Sequence, residues 1–258
     1  MFGQQMLRRQ MFARQMLGRK RESGAGDRRQ RRKQKMVWVD NASKKATDFI
    51  DHSCAAFTEA LASKAPVPGG GGASSLVAAI GIALGSMVGS LTLGKKKYAD
   101  VQNDIEVLMG EAEELRKAFL NLVGRDAEVF EPLSRAYALP KDTEEQLAER
   151  DRVMEEALAD ACLVPLEIME KCCRAIEVIA GFAQKGSAIA ISDAGVAAAC
   201  CRGALEGASL NVFINTKAMK NRETAESFNE RADAMLDKYV PMAEEIFINV
   251  RGKLKEQR

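Results

Sequence analysis

From residue 46 onward, apolar side chains recur at steps of three and four, the period of a helix buried along one face. Residues 46–64 place Phe49, Ile50, Cys54, Phe57 and Leu61 on one stripe, with Thr47 or Asp48 as the expected cap. A Pro- and Gly-rich loop over 66–72 ends that helix. A second helix, 73–92, is apolar nearly all round, with Ala78, Gly81, Ala83, Gly85 and Gly89 as small contact points. A third, about 100–137, carries Ile105, Leu108, Ala112, Leu115, Phe119, Leu122, Ala127 and Phe130 at mixed three- and four-residue steps. Leu139-Pro140-Lys141-Asp142-Thr143 stops it, and Thr143 with Gln146 has the spacing of a capping box. The fourth helix then runs to about 183, with a bend expected at Pro165. Ser192-Asp193 is the expected cap of a fifth helix through about 219, and a sixth, amphipathic helix covers 222–252 with a kink expected at Pro241. No strand pattern is convincing. The prediction is an all-α bundle of about six long antiparallel helices, in one domain over 36–258.

Composition supports this. Aromatics are 5% of the chain while 47% is apolar, so small and aliphatic residues dominate, which suits close helix packing. The second helix has the length of a membrane span. Its glycine and serine content, and the lack of another such segment, favour a buried central helix and no membrane partner. Cys54, Cys162, Cys172, Cys173, Cys200 and Cys201 form no Cys-x-x-Cys pair. Adjacent helical cysteines point apart, so they make no metal site and are expected as small core residues in a reducing, cytoplasmic compartment. His52 is the one histidine, which excludes His-rich metal chemistry.

Charge divides the chain. Residues 1–35 hold 12 Lys/Arg against 2 Asp/Glu, leaving 26 against 34 in the rest. Residues 1–10 and 11–20 form a rough tandem repeat, followed by an Arg-, Lys- and Gln-rich run to 35. A transit peptide, a nucleic-acid arm or a start-site artefact with Met36 as the true first residue all fit. The last is favoured, because the first apolar pattern begins there, and in each case the tail is expected to be disordered when unbound. The acidic body lacks interleaved aromatics, so no nucleic acid is expected on it.

Three features are candidates for chemistry. Gly69-Gly70-Gly71-Gly72 precede a helix, where bare backbone can bind an anion, let another element approach closely, or act only as a hinge. The hinge is the commoner use. Asp126 lies four residues after Leu122 and four before Phe130, on the apolar stripe. A carboxylate there is either paired in a buried ion pair or working near a ligand with a raised pKa if desolvated, and from spacing alone the pair is at least as common. Asn211 and Asn215 share a helix face and either orient a polar ligand or tie two helices. Lys95 and Lys141 sit near loop ends, where lysines are most often solvated surface, and Asp193 is a cap before it is anything else.

Taken in order, these stretches resemble the formiminotetrahydrofolate cyclodeaminase / methenyltetrahydrofolate cyclohydrolase family. The resemblance rests on Ala62-Ser63 with Pro66-Val67-Pro68-Gly69-Gly70-Gly71, Gly94-Lys95-Lys96-Lys97-Tyr98, and Asp126-Ala127 with Phe130. It continues through Leu139-Pro140-Lys141-Asp142-Thr143, Val164-Pro165-Leu166, Ser192-Asp193-Ala194-Gly195, and Asn211-Val212 with Asn215. Together they span roughly 47–217. One segment departs from the pattern: Lys185-Gly186 is followed by Ser187-Ala188-Ile189 and not by an Asn-Pro-Asn-like sequence. The resemblance implies an all-α homodimer acting on a tetrahydrofolate derivative, with no permanently bound cofactor and no metal. It implies Asp126 as the acid/base residue, and Pro68, Gly69, Gly70, Gly71, Lys95, Lys141, Asp193, Asn211 and Asn215 as substrate-binding. The implied reaction is cyclodeamination of 5-formiminotetrahydrofolate with release of ammonia, the alternative being hydrolysis of methenyl- to 10-formyltetrahydrofolate. Two other classes remain: a non-catalytic helical scaffold, and a nucleic-acid-binding protein acting through the basic tail.

Overall fold

A computed structural model describes residues 46–256, so the basic stretch 1–35 and the start at Met36 lie outside the described residues. Those residues form six α-helices: α1 (Cys54–Leu61), α2 (Gly70–Ser90), α3 (Gln102–Tyr137), α4 (Glu144–Lys185), α5 (Ile191–Ala218) and α6 (Arg222–Lys255). Short 3-10 turns occupy Ala46–Asp51, Lys96–Val101 and Ala188–Ala190, and no strand occurs among the described residues.

Three boundaries differ from the periodicity. The first predicted helix is broken after Asp51, and its α-helical part starts at Cys54 with Ser53, whose hydroxyl accepts from the Ala56 N–H at 3.2 Å, in place of Thr47 or Asp48. The second starts at Gly70, so three glycines lie inside its first turn and only Gly69 is the cap. The fifth starts at Ile191, which puts Asp193 inside the first turn and leaves Ala190 as cap with no side-chain bond. The predicted capping box is present in full: Thr143 accepts from the Gln146 N–H, and Gln146 Oε1 accepts from the Thr143 N–H at 3.3 Å. Pro132, Pro165 and Pro241 sit inside continuous helices.

Helices α2 to α5 run antiparallel to their neighbours in sequence. The Ser75 hydroxyl donates to the Phe119 carbonyl at 2.7 Å, fixing α2 on α3. Arg125–Glu167 and Lys185–Asp104 ion pairs, each 2.6 Å, set α3 against α4 at two levels. Asn215 and Cys162 join α4 to α5. α2 closes the ring against α5, where Gly81 lies directly on Cys200 and Cys201 with no room for a larger residue. α6 packs outside, held by the Thr216 hydroxyl bond to Asn229 Oδ1 at 2.7 Å and by the Arg231–Glu170 pair. The core is built from Ile82, Phe119, Met169, Ile176, Ile179 and Phe182 with alanines between them. Cys162, Cys172, Cys173 and Cys201 are buried there, and burial pushes the Cys162 and Cys173 thiols up to about 12, so they pack and do not react.

Among the described residues, two helical segments are long and apolar enough to cross a membrane, Gly70–Ser90 and Ala188–Ala218, one more than the sequence pattern suggests. About half of each is buried against neighbouring helices (56% and 50%), as in a bundle core. The uncovered side of α2 is still apolar: Val77, Ile80, Met87 and Leu91 face outward at steps of three to seven, Ile80 at 51% exposure.

Candidate active site

The site grows from an unfilled capping position. The first N–H groups of a helix have no intrahelical acceptor. Gly69, as N-cap of α2, has no side chain to supply one. The acceptor comes from α3: Asp126 Oδ2 takes the Gly72 N–H at 2.8 Å. The Asp126 carboxylate lies so close over Gly71 that a Cβ there would overlap Oδ1. Of the three uses open to the glycine run, close approach of another element is therefore realised. The Gly70 and Gly71 N–H groups lie in the same turn, at the positive end of the α2 dipole. Pro68 is buried against Gly72 and the Ser74 hydroxyl donates to the Gly70 carbonyl at 2.8 Å, which fixes the turn from behind.

Among the described residues Asp126 is in no ion pair, and its neighbour Arg125 points away to Glu167 at 2.6 Å. The hydrogen bond that Asp126 accepts comes from a neutral N–H. Burial is the larger influence on its carboxyl and raises its pKa, with the Gly72 N–H pulling the other way. Asp126 is thus a partly buried acid whose proton is held more firmly than on a surface carboxylate.

The two asparagines divide the roles expected of them. Asn211 belongs to the site: its amide would meet a Cβ on Gly70 at 3.2 Å, and its Nδ2 donates to the Gly207 carbonyl at 2.9 Å. Asn215 ties helices, donating to the Ala161 carbonyl of α4 at 3.1 Å. Lys141 is exposed in the loop after α3, past a helix end that is itself about 17 Å beyond Asp126 by the rise per residue. Lys95 and Asp193 lie at the other end of α2, about 30 Å from Asp126 by the same measure. Lys141 and Asn215 aside, the predicted residues thus form two groups, one at each end of α2. Gly72, Ser74 and Gly207 belong to the first group and were not foreseen; only the fourth glycine of the run hinted at Gly72. Among the described residues, no group of three or more His, Cys, Asp or Glu is placed to hold a metal ion.

Fold and site define an all-helical protein in which a desolvated carboxylate caps a glycine-built helix start. A model of the formiminotransferase-cyclodeaminase family matches residues 53–234. Methenyltetrahydrofolate cyclohydrolase of Methylorubrum extorquens is 39% identical over 198 residues, covering 77% of this chain and 95% of that protein. Formimidoyltransferase-cyclodeaminase of Rattus norvegicus is 31% identical over 188 residues, 73% of this chain, which spans about a third (35%) of the rat protein. The crystal structure of formiminotetrahydrofolate cyclodeaminase from Thermotoga maritima superimposes with a TM-score of 0.65 at 28% identity, covering 79% of this chain and 96% of that one. The chain belongs to the formiminotransferase-cyclodeaminase family.

Proposed function

We propose that the chain is a folate one-carbon enzyme whose acid/base group is Asp126, and that its reaction is hydrolysis of 5,10-methenyltetrahydrofolate to 10-formyltetrahydrofolate. The observation that carries the acid/base role is the desolvated Asp126 carboxylate held on the Gly72 N–H at the glycine start of α2. The match along nearly the whole of the Methylorubrum extorquens cyclohydrolase favours hydrolysis. In this reaction water adds to the methenyl carbon and passes one proton to Asp126. The C–N5 bond then breaks, N5 takes that proton, and the second water proton leaves to solvent as the carbonyl forms. One carboxyl serves both transfers if its pKa lies near the working pH.

The cyclodeaminase reading is kept because of the Thermotoga maritima structure. In that reaction N10 attacks the carbon of the protonated formimino group, its proton passes to the carboxylate, and the carboxyl returns it to the nitrogen that departs as ammonia, leaving the methenyl cation. Purified protein should bleach the methenyltetrahydrofolate absorbance far faster than buffer does. Ammonia release from 5-formiminotetrahydrofolate, measured in parallel, decides between the two reactions. Inertness toward both substrates would remove the folate reading in favour of a scaffold.

The active form in this proposal is a homodimer. The outward stripe of Val77, Ile80, Met87 and Leu91 on α2 runs between the two groups of site residues. Pairing α2 with its copy about a perpendicular two-fold axis covers that stripe. It also brings Lys95 of the partner subunit to the glycine start. We expect the wild type to sediment as a dimer at micromolar concentration. Ile80→Glu with Met87→Glu should give a folded monomer with little turnover; a fully active monomer would exclude the paired site.

A further inference from the structure

Two helices run on past the start of α2 and leave a step above its glycines. By the rise per residue, α3 continues about 17 Å beyond Asp126 to Tyr137, and α5 roughly 10 Å beyond Asn211 to Ala218. The side of α3 that meets α2 is marked by Val123, whose carbonyl oxygen would lie 3.4 Å from a Cβ on Gly72. Seven residues on, after two turns, the same side carries Phe130. The side of α5 that meets α2 is marked by Gly207, where a Cβ would lie 2.6 Å from the Ser74 hydroxyl oxygen. Seven residues on, that side carries Ile214. Phe130 and Ile214 therefore stand about one turn beyond Asp126 and Asn211, on the two flanks of the glycine start. Phe130 is half-buried and packs against the small core cluster that contains Leu133, Leu158 and Met219, which steadies its ring. Ile214 is 64% exposed, although it continues a line of residues that meets α2 lower down.

The floor between these two side chains is polar. The Asp126 carboxylate lies over Gly71 and the Asn211 amide against Gly70. At Gly69 a Cβ would meet nothing within 4 Å among the described residues, so the floor is open there. Apolar walls with a few polar groups converging at the base are the usual form of a small-molecule site. The ligand that uses both is a flat ring with apolar faces and a polar edge. We propose that Phe130 and Ile214 are specificity-determining walls that hold the pterin ring of the folate between them, with Phe130 as the stacking surface. The ring's one-carbon edge then faces Asp126, and the tail leaves over Gly69. This rests on the folate reading and needs no residue of a second subunit.

The test is steady-state kinetics of wild type, Phe130→Leu, Phe130→Tyr and Ile214→Ala. Each is assayed on the folate substrate that the wild type turns over and on its pteroate form, which lacks the glutamyl tail. Phe130→Leu stays apolar toward the core but loses the aromatic face. It should raise KM about 10-fold, the worth of one ring stacked on an aromatic side chain, with kcat changed less. The same factor should appear on the pteroate substrate, because the walls hold the ring and not the tail. Phe130→Tyr keeps an aromatic face and should recover most of the loss. Ile214→Ala should shift KM in the same sense by less; Ile214 is largely exposed, so this variant reports on the slot even where Phe130→Leu folds poorly. A lower active fraction with KM unchanged makes Phe130 a structural residue and overturns the slot. So does a KM change confined to the glutamyl substrate, or no change from either wall; each leaves the folate reading intact. A wild type inert toward both 5,10-methenyl- and 5-formiminotetrahydrofolate overturns the folate reading, and the slot's ligand with it.

Discussion

Asp126→Asn should lose about 10²–10⁴-fold in turnover, the usual worth of a positioned acid/base group, while keeping its fold and folate affinity. The structure explains why the two effects separate. An asparagine Oδ1 can still accept the Gly72 N–H that Asp126 accepts at 2.8 Å, so the start of α2 remains capped. No cation is stranded by the change, since Arg125 is already paired with Glu167. Stability should even move in the variant's favour as pH rises. Burial raises the Asp126 pKa in the folded state. Between the ordinary carboxyl pKa and the raised one, the folded protein holds a proton that the unfolded chain has lost. The stability that proton contributes is complete at acid pH and is lost as pH rises through the folded pKa. Denaturant unfolding of both proteins across that window should therefore show the wild type declining relative to Asp126→Asn. Turnover of the variant near the wild-type level would end the catalytic assignment. A large fall in its stability at neutral pH would return Asp126 to a structural role.

Gly71→Ala should be nearly as damaging to turnover, at about 10²-fold or more, by a different route. Its new Cβ would occupy the position of Asp126 Oδ1. The carboxylate must rotate away, and a displacement of about 1 Å at a reacting group is enough for a loss of that order. The helix itself gains from alanine, by roughly 0.5–1 kcal/mol over glycine, which offsets part of the clash. Little change in melting temperature is expected. Gly70→Ala is the graded control. Its Cβ would meet the Asn211 amide at 3.2 Å, which yields by a few tenths of an ångström, so a smaller loss is expected. Adding Gly71→Ala to Asp126→Asn should cost little further, because both act through one group. Equal losses from the two glycine variants, or additivity with Asp126→Asn, would show that the turn acts by some means other than placing Asp126.

The helix period was legible because burial along a helix is a local property: a residue's face follows from its place in the sequence. It located α2 to α6 and set Asp126 on the apolar stripe beside Leu122 and Phe130. The capping box at Thr143 was legible for the same reason, since both partners lie within one turn. Where a partner is distant in sequence, the pattern falls short. It placed the start of α2 three residues late, because the acceptor that lets glycines join the helix is 54 residues away on α3. It could not say whether Asn211 or Asn215 faces the site, since their surroundings come from α2 and α4. It grouped Lys95 with the glycine start, although the length of α2 holds them apart within one chain. What the sequence by itself determined is the all-α class, the carboxylate on the apolar stripe and the glycine run. What only the tertiary structure decided is that the carboxylate caps the run, because a hydrogen bond between helices depends on how they pack and leaves no periodic trace along the chain.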